Sequence, residues 1–501
     1  MNNIDSCLSQ TGPPPNVIRL KRRMCDRFRP AHCPRGSRLR AAADCRHREV
    51  IRIGTIGGSD MVKKTLHWSL AAIVLGTVLT ACSGGQTGGG ASEGKSPGEQ
   101  TAEKKEPVEL VFYITSSGWS EERFMEEYGN AVVAKYPHMK LKFIPSGKGT
   151  LIPELLAGGT AIDVVISSIG LTQAQILDNN LQYDLTGLIQ TRKLDLNRFE
   201  PTTIELIKLF SGGGIYGLPL NNTVGLLTYN KDLFDKFGVP YPKDGMTWDE
   251  TYELAKRMTR VENGVQYRGF ISSVSHLSQI NQLSVPFVDP KTDKALFDLD
   301  DRWQRFTTDL ARFYQIPGNE VDAKTVTLAE QYKAFTETKT VAMMAHIGTP
   351  GAEFQANWDM VTMPEYKERP GYGPQPYPTY TFVTSSSKHK EAAFDAAAFL
   401  ASEPFQTTLS KRGLMPVLTD KAIKEVYGQE TDYLKGKNLM ARFPKQLAAP
   451  MPVTPYDAIA KSKWTAQMDK LIQGQIDVNT ALRVAAEESN KAIEAEKAKK
   501  K

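Results

Sequence analysis

Past residue 82 the chain contains no cysteine: all five, Cys7, Cys25, Cys33, Cys45 and Cys82, lie at or before that point in a sequence of 501 residues. The body must fold without disulfides. The four upstream cysteines form neither a C-x-x-C pair nor a histidine pattern of zinc spacing, so no metal site is expected there. Histidine is scarce as well. His138, His276, His346 and His389 are scattered through the body without H-E-x-x-H or any paired spacing, which argues against a zinc hydrolase. Long apolar runs are also missing. Residues 66–80 come nearest, but they are too short, and too interrupted by Ser, Gly and Thr, for a spanning helix, which argues against an integral transporter.

Other signatures fail on inspection. Ser146-Gly147-Lys148-Gly149-Thr150 does not fit the G-x-x-x-x-G-K-[ST] frame on either side of Lys148 and reads as a connecting loop. Gly90-Ala91-Ser92-Glu93-Gly94 matches G-x-S-x-G formally, yet it lacks the strand and helix that a nucleophile elbow needs. Asp298, Asp300 and Asp301 suit the start of a helix, where acids favour the dipole. No pair of carboxylates stands out as a glycosidase centre.

What is present is an ordinary folded composition, 41% hydrophobic and 24% charged. Its charge is unevenly spread. Residues 1–64 hold an excess of nine positive charges, so the chain beyond Cys82 is −3 against +6 overall, and a basic patch for nucleic acid could exist only in the leader. Residues 61–82 combine Lys63 and Lys64, an apolar run of signal-peptide length, and small residues before Cys82. This is the pattern of an export signal. Leu79-Thr80-Ala81-Cys82 resembles the lipobox of bacterial lipoproteins, which implies a diacylglyceryl group on Cys82. Residues 1–60 are then expected to be an upstream extension outside the fold, since a signal must stand near an N-terminus to be read. Gly57-Gly58 before Met61 fit a ribosome-binding site written in two Gly codons. Residues 83–106, mostly small or charged and without an aromatic, read as a flexible tether.

Strand-like runs at residues 108–114, 141–144 and 163–167, with helical patterns at 121–135 and 151–156 between them, predict an α/β body. Leu299, Trp303, Phe306, Leu310 and Phe313 recur at steps of four and three, which predicts one helix with Trp303 in its core stripe. Ala393, Phe394, Ala397, Ala398 and Leu400 make a second stripe. The Pro-rich residues 364–378 read as an ordered surface loop, and residues 490–501 as a charged, fraying tail.

Six ordered motifs resemble the extracellular solute-binding proteins of bacterial ABC importers, in the branch that includes maltose and oligosaccharide binders. They are Gly214-Ile215-Tyr216-Gly217-Leu218-Pro219; Thr228-Tyr229-Asn230-Lys231-Asp232-Leu233-Phe234; Thr247-Trp248-Asp249-Glu250; Ala342-Met343-Met344; Ser387-Lys388-His389-Lys390-Glu391-Ala392-Ala393; and a closing helix over residues 474–485. Their own chemistry is structural: Gly214 and Gly217 suit a tight turn, and Asn230 a helix cap. The resemblance implies a two-lobed periplasmic-binding-protein-like fold of type II, with a ligand cleft between lobes and three hinge crossings. These fall near residues 222–225, 380–383 and 414–418, giving one lobe of 107–223 with 382–415 and another of 226–380 with 418–489. It departs from the family's usual pattern at Ser284-Val285-Pro286-Phe287, Ile347-Gly348-Thr349-Pro350 and Ala161-Ile162-Asp163, and these departures leave fewer cleft aromatics to stack on sugars.

The function implied is a lipid-anchored receptor on the outer face of the cell membrane. It would capture a small polar ligand, most plausibly an oligosaccharide, and deliver it to ABC permease subunits as a monomer, with no cofactor and no covalent chemistry. A secreted carbohydrate-active enzyme and a ligand-sensing receptor subunit are the alternatives. Because ligands of open α/β sheets bind beyond the carboxyl ends of strands, the expected contacts are Ser116, Ser117, Trp119, Ser167, Ser168, Asn221 and Asn222 from the first lobe. From the second come His276, Gly348, Thr349 and Tyr380. The hydroxyls and amides suit a hydroxyl-rich ligand. Trp119 either offers a stacking face or packs on its own helix.

Overall fold

Runs rich in β-branched and aromatic residues become strands in a computed structural model that describes residues 106–499, apart from 353. The expected leader, Cys82, the tether and the Gly90 motif lie outside the described residues. In chain order the strands are β1 Val108–Ile114, β2 Met139–Pro145, β3 Val164–Ser168, β4 Gly217–Asn221, β5 Gly225–Asn230, β6 Arg260–Glu262, β7 Val265–Ser272, β8 Val341–Ile347, β9 Trp358–Thr362, β10 Tyr372–Gly373, β11 Thr379–Val383 and β12 Gln446–Leu447.

Two five-stranded sheets result. The first has the order β2-β1-β3-β11-β4 and the second β6-β7-β8-β5-β9, with β10 and β12 forming a separate parallel pair. In the first sheet β1, β2 and β3 run parallel and β11 is antiparallel to both neighbours. In the second, β7 and β8 are parallel, while β5 runs against β8 and β9. Each sheet has a core of its own. Phe112, Val164, Phe382 and the stripe Ala393, Phe394, Ala397 and Leu400 pack around the first. On the second, Leu227 and Met343 face one cluster and the adjacent Leu226 and Met344 face another, as strand alternation requires. The architecture is therefore mixed α/β in two lobes.

Local signals explain the connections. Thr247 and Glu250 exchange side-chain bonds with each other's amides, a capping box that starts the helix Trp248–Met258. Asn230 caps Lys231–Phe237 by accepting from the Asp232 amide. Ser387 donates to buried Asp163, pinning the start of Lys390–Leu400 to the first sheet. Trp303 is wholly buried, with Nε1 donating to the Pro286 carbonyl.

Four expectations need correction. Leu299 is 68% exposed, because Asp300 caps the helix Asp301–Ala311 and leaves Leu299 outside the stripe. The closing helix begins at Val478, since Gly474 adopts a left-handed conformation after Asp457–Ile472. That helix runs to Lys499 with Ile493 fully buried, so the end of the described chain belongs to the second core. The Pro-rich stretch is no surface loop. It links β9 of the second sheet to β11 of the first, and Gln375 within it is 3% exposed.

This passage also lies upstream of the crossing expected at residues 380–383, which sit wholly inside the first sheet. The last passage is drawn out: Met415, within the expected residues, already packs in the cluster on the far face of the second sheet, Val417, Leu418 and Ile423 pack in the first core, and Tyr427 rejoins the far-face cluster. The first passage, between Asn221 and Gly225, falls within the expected residues.

Gly225 marks how tightly two of these passages touch. A Cβ there would stand 2.7 Å from Met363, 2.8 Å from Ile280 and 2.9 Å from Pro374. Gly225→Ala should therefore cost about 1–3 kcal/mol in urea unfolding by overpacking. The helical Gly187, with nothing within 4 Å of its Cβ position, is the control and should tolerate alanine without loss.

Candidate functional site

The site is assembled where the chain passes between lobes. Asn222, 2% exposed, donates its amide to the Met415 carbonyl, and its Oδ1 accepts from the amides of Thr223 and Tyr377 at 2.8 and 3.2 Å. Tyr377 leaves this anchor and packs against both main cores at once. Its hydroxyl bonds the Ser168 side chain and lies so close to Gly170 that a Cβ there would be 2.1 Å away. Only glycine permits that approach.

Around Tyr377 opens a small cavity of about 80 Å³. Ile169, Leu206 and Phe210 wall it from the first lobe, and Phe287 and Met451 from the second. Its polar lining includes Gln173, Gln279, Gln375, Thr454, Asp457 and Lys461. Gln375 is structural as well as lining, because Nε2 donates to the Asn281 carbonyl and Oε1 accepts from the Met451 amide. Apolar walls with a few placed polar groups are the usual make-up of a small-molecule pocket.

Electrostatically the second-lobe wall is unusual. Asp457, at the start of its helix, directs both carboxylate oxygens to Thr454, one to the amide at 2.9 Å and one to the hydroxyl at 2.8 Å. Burial outweighs those bonds and pushes its carboxyl up to about 7. Lys461, one turn on, is pushed below the usual lysine range by burial. His276 stands edge-on to Tyr377 with Nδ1 2.6 Å from the Ser273 hydroxyl, and burial together with the nearby Lys461 keeps its ring on the neutral side. Deeper in, His346 meets the Thr228 hydroxyl at 3.0 Å and is pushed down to about 3 by burial and by Arg442. Among the described residues no three His, Cys, Asp or Glu side chains converge as metal ligands would.

None of the eleven contacts expected from the sequence is among the residues lining this cavity. Ser168, Asn222 and His276 stand directly behind it, each touching Tyr377. Asn221 ends β4 beside Thr379. Ser167 is buried and accepts from Thr115. Gly348 is held by the Val224 carbonyl, and Thr349 accepts from buried Arg442 at 2.8 Å. Ser116 and Ser117 are exposed in the loop after β1, where Ser116 accepts from the Trp119 indole. Trp119 follows the packing alternative: its ring stacks on Tyr128 at 5.7 Å and carries the Arg123 guanidinium at 4.0 Å. Tyr380 must be withdrawn as a contact. It is fully buried in the first core, with its hydroxyl donating to the Thr203 carbonyl.

Gly170 and Gln173, which line the cavity, lie in the helical turns that follow β3, one turn beyond the strand end used to select the expected contacts. Tyr377 and Gln375 were within reach, in a Pro-rich segment whose inability to continue any helix or sheet marks a crossing. Asp457 and Lys461 carried no sequence signal beyond helical spacing.

A family model described as bacterial extracellular solute-binding protein matches residues 118–407, more than half of the chain. The chain belongs to the bacterial extracellular solute-binding proteins. Solved structures agree on the fold. A sugar transporter of Rhizobium etli in an open conformation is 22% identical with a TM-score of 0.62, the match covering 76% of this chain and 99% of that one. An ABC substrate-binding protein of Listeria monocytogenes in complex with cycloalternan is 19% identical with a TM-score of 0.62, over 77% and 99%. Maltose-bound MalE3 of T. maritima is 18% identical with a TM-score of 0.56, over 76% and 99%. As an extracellular solute-binding protein the chain acts outside the cell, and no helix among the described residues is long and apolar enough to cross a membrane.

Asp457 supplies a test of this solute-binding protein's cavity wall. Its carboxyl is held above the ordinary 3.8, so its share of stability is full below that pH and is lost as pH rises through about 7. A displacement of that size is worth up to about 4 kcal/mol. Asp457→Asn cannot ionise, and its melting temperature should fall less than that of the wild type between pH 4 and pH 8. Parallel curves would show that the carboxyl is not desolvated.

Proposed function

We propose that the protein captures a sugar in the cavity around Tyr377 and passes it to the permease subunits of an ABC importer, working as a monomer held to the membrane by a lipid on Cys82. The observation that carries this reading is the cavity's position. It lies where two lobes with separate cores meet, and its walls come from both, so a ligand there favours the closed arrangement by touching both sides. The lining supports a sugar. Gln173, Gln279 and Thr454 can serve hydroxyls, while Phe210 gives apolar surface to a ring face. The ligands of the similar proteins, cycloalternan and maltose, are carbohydrates.

Binding without chemistry fits the same lining. Asp457 is the one carboxylate on the cavity wall, and glycoside hydrolysis ordinarily needs two. The lobes on this reading are residues 106–221 with 379–423, and 225–362 with 427–499.

Selective binding to the native state raises stability by RT ln(1 + [L]/Kd). A melting-temperature screen of the full chain against sugars, polyols, peptides and polyamines should show a rise only for carbohydrates. A rise for peptides or polyamines with none for sugars would overturn the ligand class.

The anchor is tested separately. One acyl chain binds a membrane only marginally, so a multiply acylated Cys82 is required. Cys82→Ser should move the protein from the detergent phase to the aqueous phase in a host that processes lipoproteins. Wild-type protein already in the aqueous phase would sink the anchor without touching the ligand reading.

A further inference from the structure

The cation on the cavity wall has no anion. Lys461 lies on the second turn of Asp457–Ile472, half-buried, and among the described residues its ammonium has no hydrogen bond and no ion pair. Two other half-buried lysines are served by backbone carbonyls. Lys437 donates to the Trp358 carbonyl at 2.8 Å, and Lys390 donates to the Ser385 and Ser387 carbonyls at 3.2 and 2.6 Å.

Asp457 is spaced to pair with Lys461 but does not. A carboxylate four residues before a lysine is the favoured helical ion pair, yet both oxygens of Asp457 are taken by Thr454. His276 offers no anion either, and its Nδ1 is engaged with Ser273. A half-buried ammonium on a wall shared with Tyr377 gains from any counter-charge brought into the cavity. In such a low-dielectric wall one added anion would gain far more than at the surface.

We propose that the solute is an anionic sugar whose carboxylate or phosphate pairs with the Lys461 ammonium inside the cavity. The inference rests on the reading of this cavity as the sugar site. Apolar walls then hold the ring, amides hold hydroxyls, and Lys461 selects charge. A neutral sugar would leave the ammonium desolvated and unpaired, so the site discriminates against it as well as for the acid.

Matched probes test it by calorimetry on the purified full chain: maltotriose, maltotriose oxidised to the carboxylate at its terminal C6, and maltotriose 6-phosphate. At least one anionic probe should bind tenfold or more tightly than maltotriose, and which one does so identifies the source of the charge. Lys461→Met should reduce that preference at least tenfold, Lys461→Arg should retain most of it, and the Met variant's ligand-free melting temperature should rise as the unpaired charge is removed. Should Lys461→Met fail to fold, the wild-type preference still decides. Maltotriose binding as tightly as both anionic probes, or a preference that survives in Lys461→Met, would overturn the inference and leave the sugar site standing. No binding of any of the three would overturn both.

Discussion

Asn222 ties the three interlobe passages together. Its side-chain oxygen accepts from the amides of two of them, Thr223 and Tyr377, and its backbone N–H donates to the Met415 carbonyl on the approach to the third. Each of these bonds is buried or half-buried, where a lost partner costs more than the bond itself contributes in water. Tyr377 extends the same constraint outward, since the residue anchored by Asn222 is also the one that packs on both cores and fills the space above Gly170.

From that anchor the cavity's chemistry follows. Gln375, two residues before Tyr377, bonds the Asn281 carbonyl and the Met451 amide, and so holds the end of Val274–Gln279 and the approach to Asp457–Ile472 at the passage. Those two helices bring His276, Gln279, Asp457 and Lys461 to one wall. Burial then shifts their titration: His276 towards neutral, Asp457 up to about 7, and Lys461 below the usual lysine range.

The motifs that carried the family resemblance serve the scaffold. Asn230 caps a helix, Thr247 and Glu250 form a capping box, Ser387 holds Asp163, and Gly217 makes room for Phe382, which would lie 3.0 Å from a Cβ. None of them lines the cavity. Specificity is free to vary at positions such as Lys461 that these motifs do not touch.

By itself the sequence determined what depends on near neighbours: the α/β alternation, the strands β1 to β3, the caps at Asn230 and Asp300, the buried stripe around Trp303, and, through the ordered motifs, the two-lobed family. These are set by backbone preferences and by periodicity within a few turns. Tertiary structure alone decided which residues face the cavity. Tyr380 and Tyr377 are three apart in the same passage, yet pleating and pairing send one into the first core and the other to the cavity. Asp457 and Lys461 have the spacing of an ion pair, and only the position of Thr454 keeps them apart. Both outcomes depend on contacts between segments far apart in the chain, and spacing along the chain carries no record of them.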